Sequence, residues 1–262
     1  MPRLAANLVW LFTEVPFMDR FAAAQRAGFR YVEFLLPYEY PAEKVKEVLD
    51  QNGQQVVLFL LPSGDWASGD RGVAASPNRV GEFRAGVKTA LSYARVLGVP
   101  RIGCLAGKTV PGYSRREQWN TLVENLRFVA DAMGEMGIKV LVEHVSHAAI
   151  PGFILSRVQD VLDVIAEANR PNLYVHYDIY HAQRTEGNLT QILRDHIAAI
   201  DHIHVADTPG RHQPGTGEIN YRFLFSEIDR LGYGQFVGLE YEPIPDTVKS
   251  LEWIREYGCQ LA

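Results

Sequence analysis

The stretch YVHYDIYHAQ, residues 174–183, alternates like a β-strand, yet it carries two histidines, an aspartate and three tyrosines. A strand buried in an α/β protein is ordinarily rich in Val, Ile and Leu on both faces. Here His176 and Asp178 share one face, while Val175, Tyr177 and Ile179 share the other. Three further segments repeat the pattern. KVLVEHV (139–145) carries Glu143, DHIHVAD (201–207) carries His204, and FVGLEYEP (236–243) carries Glu240. The positions opposite these residues are Val140, Val142 and His144, then Ile203 and Val205, then Val237, Leu239 and Tyr241. All but His144 are residues suited to contact with a helix layer. Any one of the four polar residues alone reads more simply as an ion-paired or hydrogen-bonded group. Together, three carboxylates brought close repel one another and cannot all stay ionised without a cation. Three oxygen donors and one imidazole suit Mn2+ or Mg2+, with Co2+ and Fe2+ also compatible. His176 and His202 then read as supporting or core groups one layer deeper.

The elements that position these residues alternate along the chain. Strand-like runs fall at 4–10, 31–36, 55–61, 101–107, 139–145, 173–180, 200–207 and 236–243. Helical periodicity falls near 17–27, 41–52, 79–97, 114–136, 157–169, 188–199, 219–231 and 247–257. Gly28, Gly53, Gly98, Gly137 and Gly232 stand just past five helix ends, where left-handed caps are expected. Eight strand–helix repeats predict an α/β fold of the (β/α)8 TIM-barrel type, one domain over residues 1–262. The alternative, a doubly wound open sheet, would carry a glycine-rich phosphate turn after its first strand. This chain continues there into LFTEVPF, with no glycine. In a barrel, alternate strand residues point inward and active sites lie at the C-terminal strand ends. Glu143, Asp178, His204 and Glu240 therefore converge on one point at the mouth. Residues 62–78, the longest irregular stretch, follow the third strand on that side and read as a lid, a substrate loop or a plain surface loop.

Composition narrows the function classes. The chain has 262 residues, 47% hydrophobic and 22% charged, as in an ordinary globular protein. A net charge of −5 gives no support to nucleic-acid binding. Two cysteines, Cys104 and Cys259, make neither a disulfide framework nor a metal motif, so a reducing cytoplasm is the expected compartment. MPRLAANLVW lacks the apolar core of a secretory signal, and no run approaches the ~20 apolar residues of a membrane helix.

Several long stretches resemble the hydroxypyruvate isomerases, within the xylose isomerase-like TIM barrels. They are AANL (5–8), AGFRYVEFLLPYEY (27–40), GDWASGDRG (64–72), YDIYHAQRTEGNLT (177–190) and RHQPGTGEINY (211–221), and the likeness covers nearly the whole chain. The resemblance implies a metal held by Glu143, Asp178, His204 and Glu240, with Glu143 and Glu240 also moving protons between adjacent substrate carbons. It implies interconversion of hydroxypyruvate and tartronate semialdehyde through an enediolate. Three departures bear on the substrate. His204 stands where these isomerases often carry Gln and the related ketose 3-epimerases carry His. Ala149 stands where those epimerases tend to carry a substrate-binding Glu, and His144 where the isomerases often carry Pro.

The substrate's carboxylate needs cations or backbone donors. Lys108 at the end of strand four, Arg211 and His212 after strand seven, and Arg71 in the 62–78 loop are the candidates, each of which could equally be a solvated charge. His181 is placed to hydrogen-bond a substrate oxygen, and Trp66 to wall the site. Glu33 reads as a supporting partner of the site or as a salt-bridge residue. The partner is a small hydroxy-keto acid or sugar. The alternatives are a 2-oxo-tetronate isomerase or ketose 3-epimerase with the same metal site, and a barrel endonuclease with three metals. The last would need more histidines at the mouth, and all eight lie from residue 144 onward. A homo-oligomer is left open: Tyr38, Tyr40, Phe153 and the 62–78 loop could pack between subunits or within one.

Overall fold

A computed structural model describes residues 3–259 and 261. Eight parallel strands close into a barrel in sequence order. They are β1 (Arg3–Asn7), β2 (Tyr31–Glu33), β3 (Gln55–Leu60), β4 (Arg101–Cys104), β5 (Lys139–Glu143), β6 (Leu173–Asp178), β7 (Ile200–Val205) and β8 (Phe236–Leu239). The helices around them are α1 (Phe17–Arg26), α2 (Ala42–Gln51), α3 (Val80–Leu97), α4 (Arg115–Gly134), α5 (Val158–Ala168), α6 (Ile179–Thr185), α7 (Leu189–His196), α8 (Tyr221–Arg230), α9 (Thr247–Ser250) and α10 (Glu252–Glu256). Each long helix buries one stripe against the barrel: α3 buries Phe83, Val87, Ala90, Ala94 and Leu97, at helical spacing. Capping fixes the ends. Ser114 and Glu117 form a reciprocal capping box at the start of α4, and Gly98 closes α3 at φ 67°.

Every strand ends earlier than the periodicity suggests, β4 at Cys104 rather than 107 and β8 at Leu239 rather than 243, and three boundaries have a clear local cause. The sixth strand stops at Asp178 rather than running to residue 180, because the Asp178 carboxylate accepts the His181 N–H at 2.9 Å and starts α6 there. The predicted helix 188–199 is α7 followed by a 3-10 turn over Ile197–Ala199. The predicted helix 247–257 is two short helices, because Leu251 N–H bonds back to Val248 O and Ile254 N–H to Leu251 O, tightening the chain between them. Phe153 is buried inside the chain, and the Tyr38 hydroxyl donates to Leu60 O at 2.6 Å. No helix among the described residues is long and apolar enough to cross a membrane.

The barrel interior is layered. Ala5, Val57, Leu58, Leu141 and Phe236 form a separate apolar cluster at the N-terminal end. Asn7, Glu33, His176 and His202 are buried above it. Glu143, Asp178, His204 and Glu240 complete the stack at the C-terminal ends, each no more than 8% exposed. Strand register produces the stacking: His176 lies beside Glu143 on one side and His202 on the other, and Asp178 beside His204. The opposite strand faces carry the large outer core, including Val140, Val142, Val175, Tyr177, Ile203, Val237, Leu239 and Tyr241. His144, the exception in the pattern, is fully buried on that outer side, its ring 5.5 Å from that of Tyr177. Burial pulls its pKa down to about 3, so it packs as a neutral ring.

Candidate metal centre

Glu143, Asp178, His204 and Glu240 each offer one ligand atom, and these atoms lie within 4.8 Å of one another. That spacing is compact enough for one cation to be shared. The chemistry of the donors fits a hard divalent ion, as three carboxylates and one imidazole do. The orientation of His204 fits too. Its Nε2 lies 2.7 Å from Glu33 Oε1, which fixes that nitrogen as the proton carrier. The other nitrogen, Nδ1, is buried without a hydrogen-bond partner and faces Glu240 Oε2 at 3.6 Å.

Glu33 is the brace under this ligand set. Besides His204, its carboxylate accepts from Asn7 Nδ2 at 2.9 Å and faces His202 Nε2 at 2.7 Å. Burial works against its charge, but His204 and His202 beside it outweigh burial and hold its pKa well below the usual carboxylate range. Gly238 makes the space: a Cβ added there would meet Glu33 Oε1 at 2.3 Å. Gly238→Ala should therefore displace the Glu33 carboxylate and loosen His204. Loss of such a supporting contact typically weakens metal affinity roughly 10- to 100-fold. A Mn2+ titration of the variant checks this; unchanged affinity would show that Glu33 does not brace the site.

The electrostatics are those of carboxylates and an imidazole crowded into a buried site. Burial first, then the Glu240 and Asp178 charges, push the Glu143 pKa well above the ordinary carboxylate range. Burial opposes charge on His204, yet Glu33 and Glu240 outweigh it and raise its pKa to about 10. With that pKa His204 carries a second proton at neutral pH, and a cation held through Nδ1 would have to displace it. Metal binding should release protons, and affinity should rise with pH, by about tenfold per unit per proton released, levelling off as pH passes about 10. Calorimetry at pH 7 in buffers of different ionisation enthalpy reads the proton count directly. Binding with no proton release would contradict this picture.

The chain supplies one cation of its own. Arg211 Nη2 contacts Glu240 Oε2 and lies 3.8 Å from Asp178 Oδ2. Its guanidinium sits over Trp10 at 4.5 Å and Tyr180 at 4.9 Å. The backbone of Arg211 is left-handed, φ 59°, a conformation that costs a side-chain-bearing residue roughly 1–2 kcal/mol. Hydrogen bonds hold it there, from Arg211 N to Asp207 O at 2.8 Å and from Glu242 N to Arg211 O at 2.9 Å. Asp207 in turn gathers the loop, its carboxylate accepting from the N–H groups of Thr208, Gly215, Gly217 and Ile219.

A cavity of about 250 Å3 opens over the cluster. Glu143, Glu240, His181, Arg211, Arg71 and Trp66 all line it. His181 Nε2 lies 3.7 Å from Asp178 Oδ2 and its Nδ1 3.3 Å from Ser146 Oγ. Burial, and then Arg211, lower its pKa to about 3, leaving a neutral imidazole that can donate or accept. The Arg71 guanidinium sits over the Trp66 ring at 4.1 Å and donates to Trp66 O and Asp70 O. Lys108 is elsewhere: it lines an adjoining cavity, on the far side of Arg71. The His212 ring is engaged with Glu242 O at 2.8 Å. Ala149 is at the wall of the main cavity. Trp10, Leu35, Leu105 and Tyr180 were not singled out from sequence. Trp10 lies three residues beyond β1, so the rule that sites gather at strand ends could have found it.

The family described as xylose isomerase-like TIM barrel matches residues 21–257. The chain is 46% identical to hydroxypyruvate isomerase of Escherichia coli strain K12 over 257 residues, 98% of this chain and 100% of that one. It is 41% identical to 2-oxo-tetronate isomerase of Haemophilus influenzae over 257 residues, 98% of this chain and 100% of the relative. Among solved structures, one described as AP endonuclease, family 2 from Brucella melitensis superposes with a TM-score of 0.95 at 41% identity, covering 98% of this chain and 99% of that one.

Proposed function

The chain belongs to the xylose isomerase-like TIM barrel family and is an isomerase of the intramolecular oxidoreductase class, and from that premise we propose that it is a metal-dependent enzyme interconverting hydroxypyruvate and tartronate semialdehyde. The observation that carries the reading is the buried set Glu143, Asp178, His204 and Glu240 beneath a small cavity. When bound by these four residues, a Mn2+ or Mg2+ ion supplies Lewis acidity toward the substrate's ketone and hydroxyl oxygens. Glu143 and Glu240, three strands apart, flank the bound substrate. One takes a proton from C3, giving an enediolate. The same glutamate or the opposite one returns a proton to C2, and the C3 hydroxyl proton passes to O2. Atoms and electrons balance within the one molecule, so no external oxidant is used. Arg211 is the cation for the substrate carboxylate. His181, neutral at working pH, hydrogen-bonds a substrate oxygen. Trp10 and Trp66 shield the cavity from water.

The same machinery suits 2-oxo-tetronate, one carbon longer, and a relative with that activity matches nearly as well. Ala149 speaks against a ketose 3-epimerase, because it presents a methyl group to the cavity where those enzymes tend to bind sugar through Glu. The similarity to a structure described as AP endonuclease keeps an incision assay necessary. The net charge of −5 and a cavity of about 250 Å3 argue against a duplex. Among the described residues the two possible metal groupings share His204. The test is a parallel assay on hydroxypyruvate, 2-oxo-tetronate, a ketose panel and abasic DNA with Mn2+ or Mg2+ present. Turnover of hydroxypyruvate with the highest kcat/KM supports the reading; DNA incision without isomerase turnover overturns it.

A further inference from the structure

Next to the catalytic cavity lies a second one, of about 230 Å3. Lys108, Arg71 and Arg79 line it, with the polar side chains of Ser76, Asn78 and Thr109. Arg71 lines both cavities, so they adjoin at that residue. Asp70 also lines the second cavity but is committed, with Oδ2 2.8 Å from Arg79 Nη1 and accepting the Asp65 N–H at 2.8 Å. Arg79 is further held by Glu82, at 2.7 Å on each oxygen. Both of these carboxylates are engaged by Arg79, which leaves Arg71 and Lys108 without a carboxylate partner among the described residues. Arg71 donates to the backbone carbonyls of Trp66 and Asp70, whereas the half-buried Lys108 makes no side-chain ion pair or hydrogen bond among the described residues.

The backbone around this cavity is rigidly placed. Lys108 pairs with Phe153 in an isolated antiparallel bridge, and Thr109 N donates to Gly152 O at 2.8 Å. The 62–78 loop docks against the exit of β4 with no room for side chains: a Cβ on Gly72 would meet Leu105 O at 2.2 Å, and one on Gly107 would meet Gly72 O at 2.3 Å. Gly72 also needs its positive φ of 102°. That close approach fixes Arg71 between the two cavities. An unpaired lysine lining a cavity beside guanidinium and hydroxyl donors is an arrangement that an oxyanion satisfies.

We propose that this second cavity is an anion subsite that takes the far end of a longer substrate, a phosphate ester or carboxylate, with Lys108 as its principal contact. Hydroxypyruvate is too short to present such a group, so the subsite would favour a longer hydroxy-keto acid ending in an anion. The ligand's origin rests on the isomerase reading, but the test does not need turnover. Inorganic phosphate and, separately, acetate would be titrated into the Mg2+-loaded protein by calorimetry, for the wild type, Lys108→Met and Lys108→Arg. Saturable binding that weakens by roughly tenfold or more in Lys108→Met and survives in Lys108→Arg is the expected result, since a charge-assisted contact is lost and then restored. Preference for phosphate identifies an ester, and preference for acetate identifies a carboxylate. Lys108→Gln replaces the Met variant if its circular dichroism shows misfolding. No saturable binding of either anion, or binding indifferent to loss of the Lys108 charge, overturns the proposal. An inactive protein that still binds phosphate through Lys108 would sink the isomerase reading and leave the subsite standing.

Discussion

Glu143→Gln should lower hydroxypyruvate turnover by roughly 100- to 10,000-fold, the usual worth of a positioned acid or base, when assayed at a divalent-ion concentration raised until the variant's weakened site is filled. Glu240→Gln should do the same. Gln keeps the shape and one coordinating oxygen of each glutamate but cannot carry a proton between carbons. The two variants differ in their side effects. Glu240 pairs with Arg211, so Glu240→Gln also frees that guanidinium and should change KM. Glu143 makes no ion pair among the described residues; its shift comes from burial and from Glu240 and Asp178, with His204 and Arg211 acting the other way. Glu143→Gln should therefore act on kcat more than on KM. Metal content measured alongside steady-state rates separates proton transfer from ligation. Wild-type turnover with metal bound in either variant would remove that glutamate from the proposed mechanism.

Asp178→Asn is the second large effect, and it separates two jobs done by one side chain. Asp178 is in the candidate ligand set, and it also caps α6 by accepting the His181 N–H. Asn is as good a cap as Asp, so the fold should be kept. The negative charge that a cation needs is lost. Metal affinity should fall by at least about 100-fold, at or beyond the upper end of what loss of a supporting residue costs, and activity should fall with it at limiting metal. Asp178→Ala should add about 1 kcal/mol of destabilisation from the lost cap. A thermal melt of the metal-free proteins reads the cap, and a Mn2+ titration reads the ligand. An Asn variant with wild-type metal affinity would contradict the assignment of Asp178 as a ligand.

The barrel and its four polar strand ends were legible because both follow from local pattern. Period-two alternation sets which face each strand residue takes, and eight repeats of strand and helix fix the closure. The brace under His204 was much less legible. Glu33 is on β2 and His204 on β7, 171 residues apart, and only the closed barrel brings them to 2.7 Å. No local signal in YVEF distinguishes a carboxylate that crosses the barrel from one that reaches solvent. Gly238 is similar: nothing in FVGLEYEP marks it as the space for Glu33. Arg211 could be placed on the loop after β7, but not its pairing with Glu240, which depends on a left-handed backbone that Arg rarely adopts. Lys108 was expected to face the mouth by continuing β4. The strand ends at Cys104 and the chain then turns aside to pair with Phe153, which carries the ammonium into the neighbouring cavity.

The measurement that tests the central claim most directly is proton NMR in D2O on metal-stripped protein mixed with hydroxypyruvate, before and after adding Mn2+ at trace level or Mg2+. Without metal, neither product nor exchange should appear. With metal, tartronate semialdehyde should form and deuterium should enter the substrate carbons, as required when a glutamate takes one proton and returns another. Metal-dependent exchange on ketoses with hydroxypyruvate untouched would keep the chemistry and replace the substrate. No exchange on any α-hydroxy ketone with metal bound would contradict proton transfer by Glu143 and Glu240.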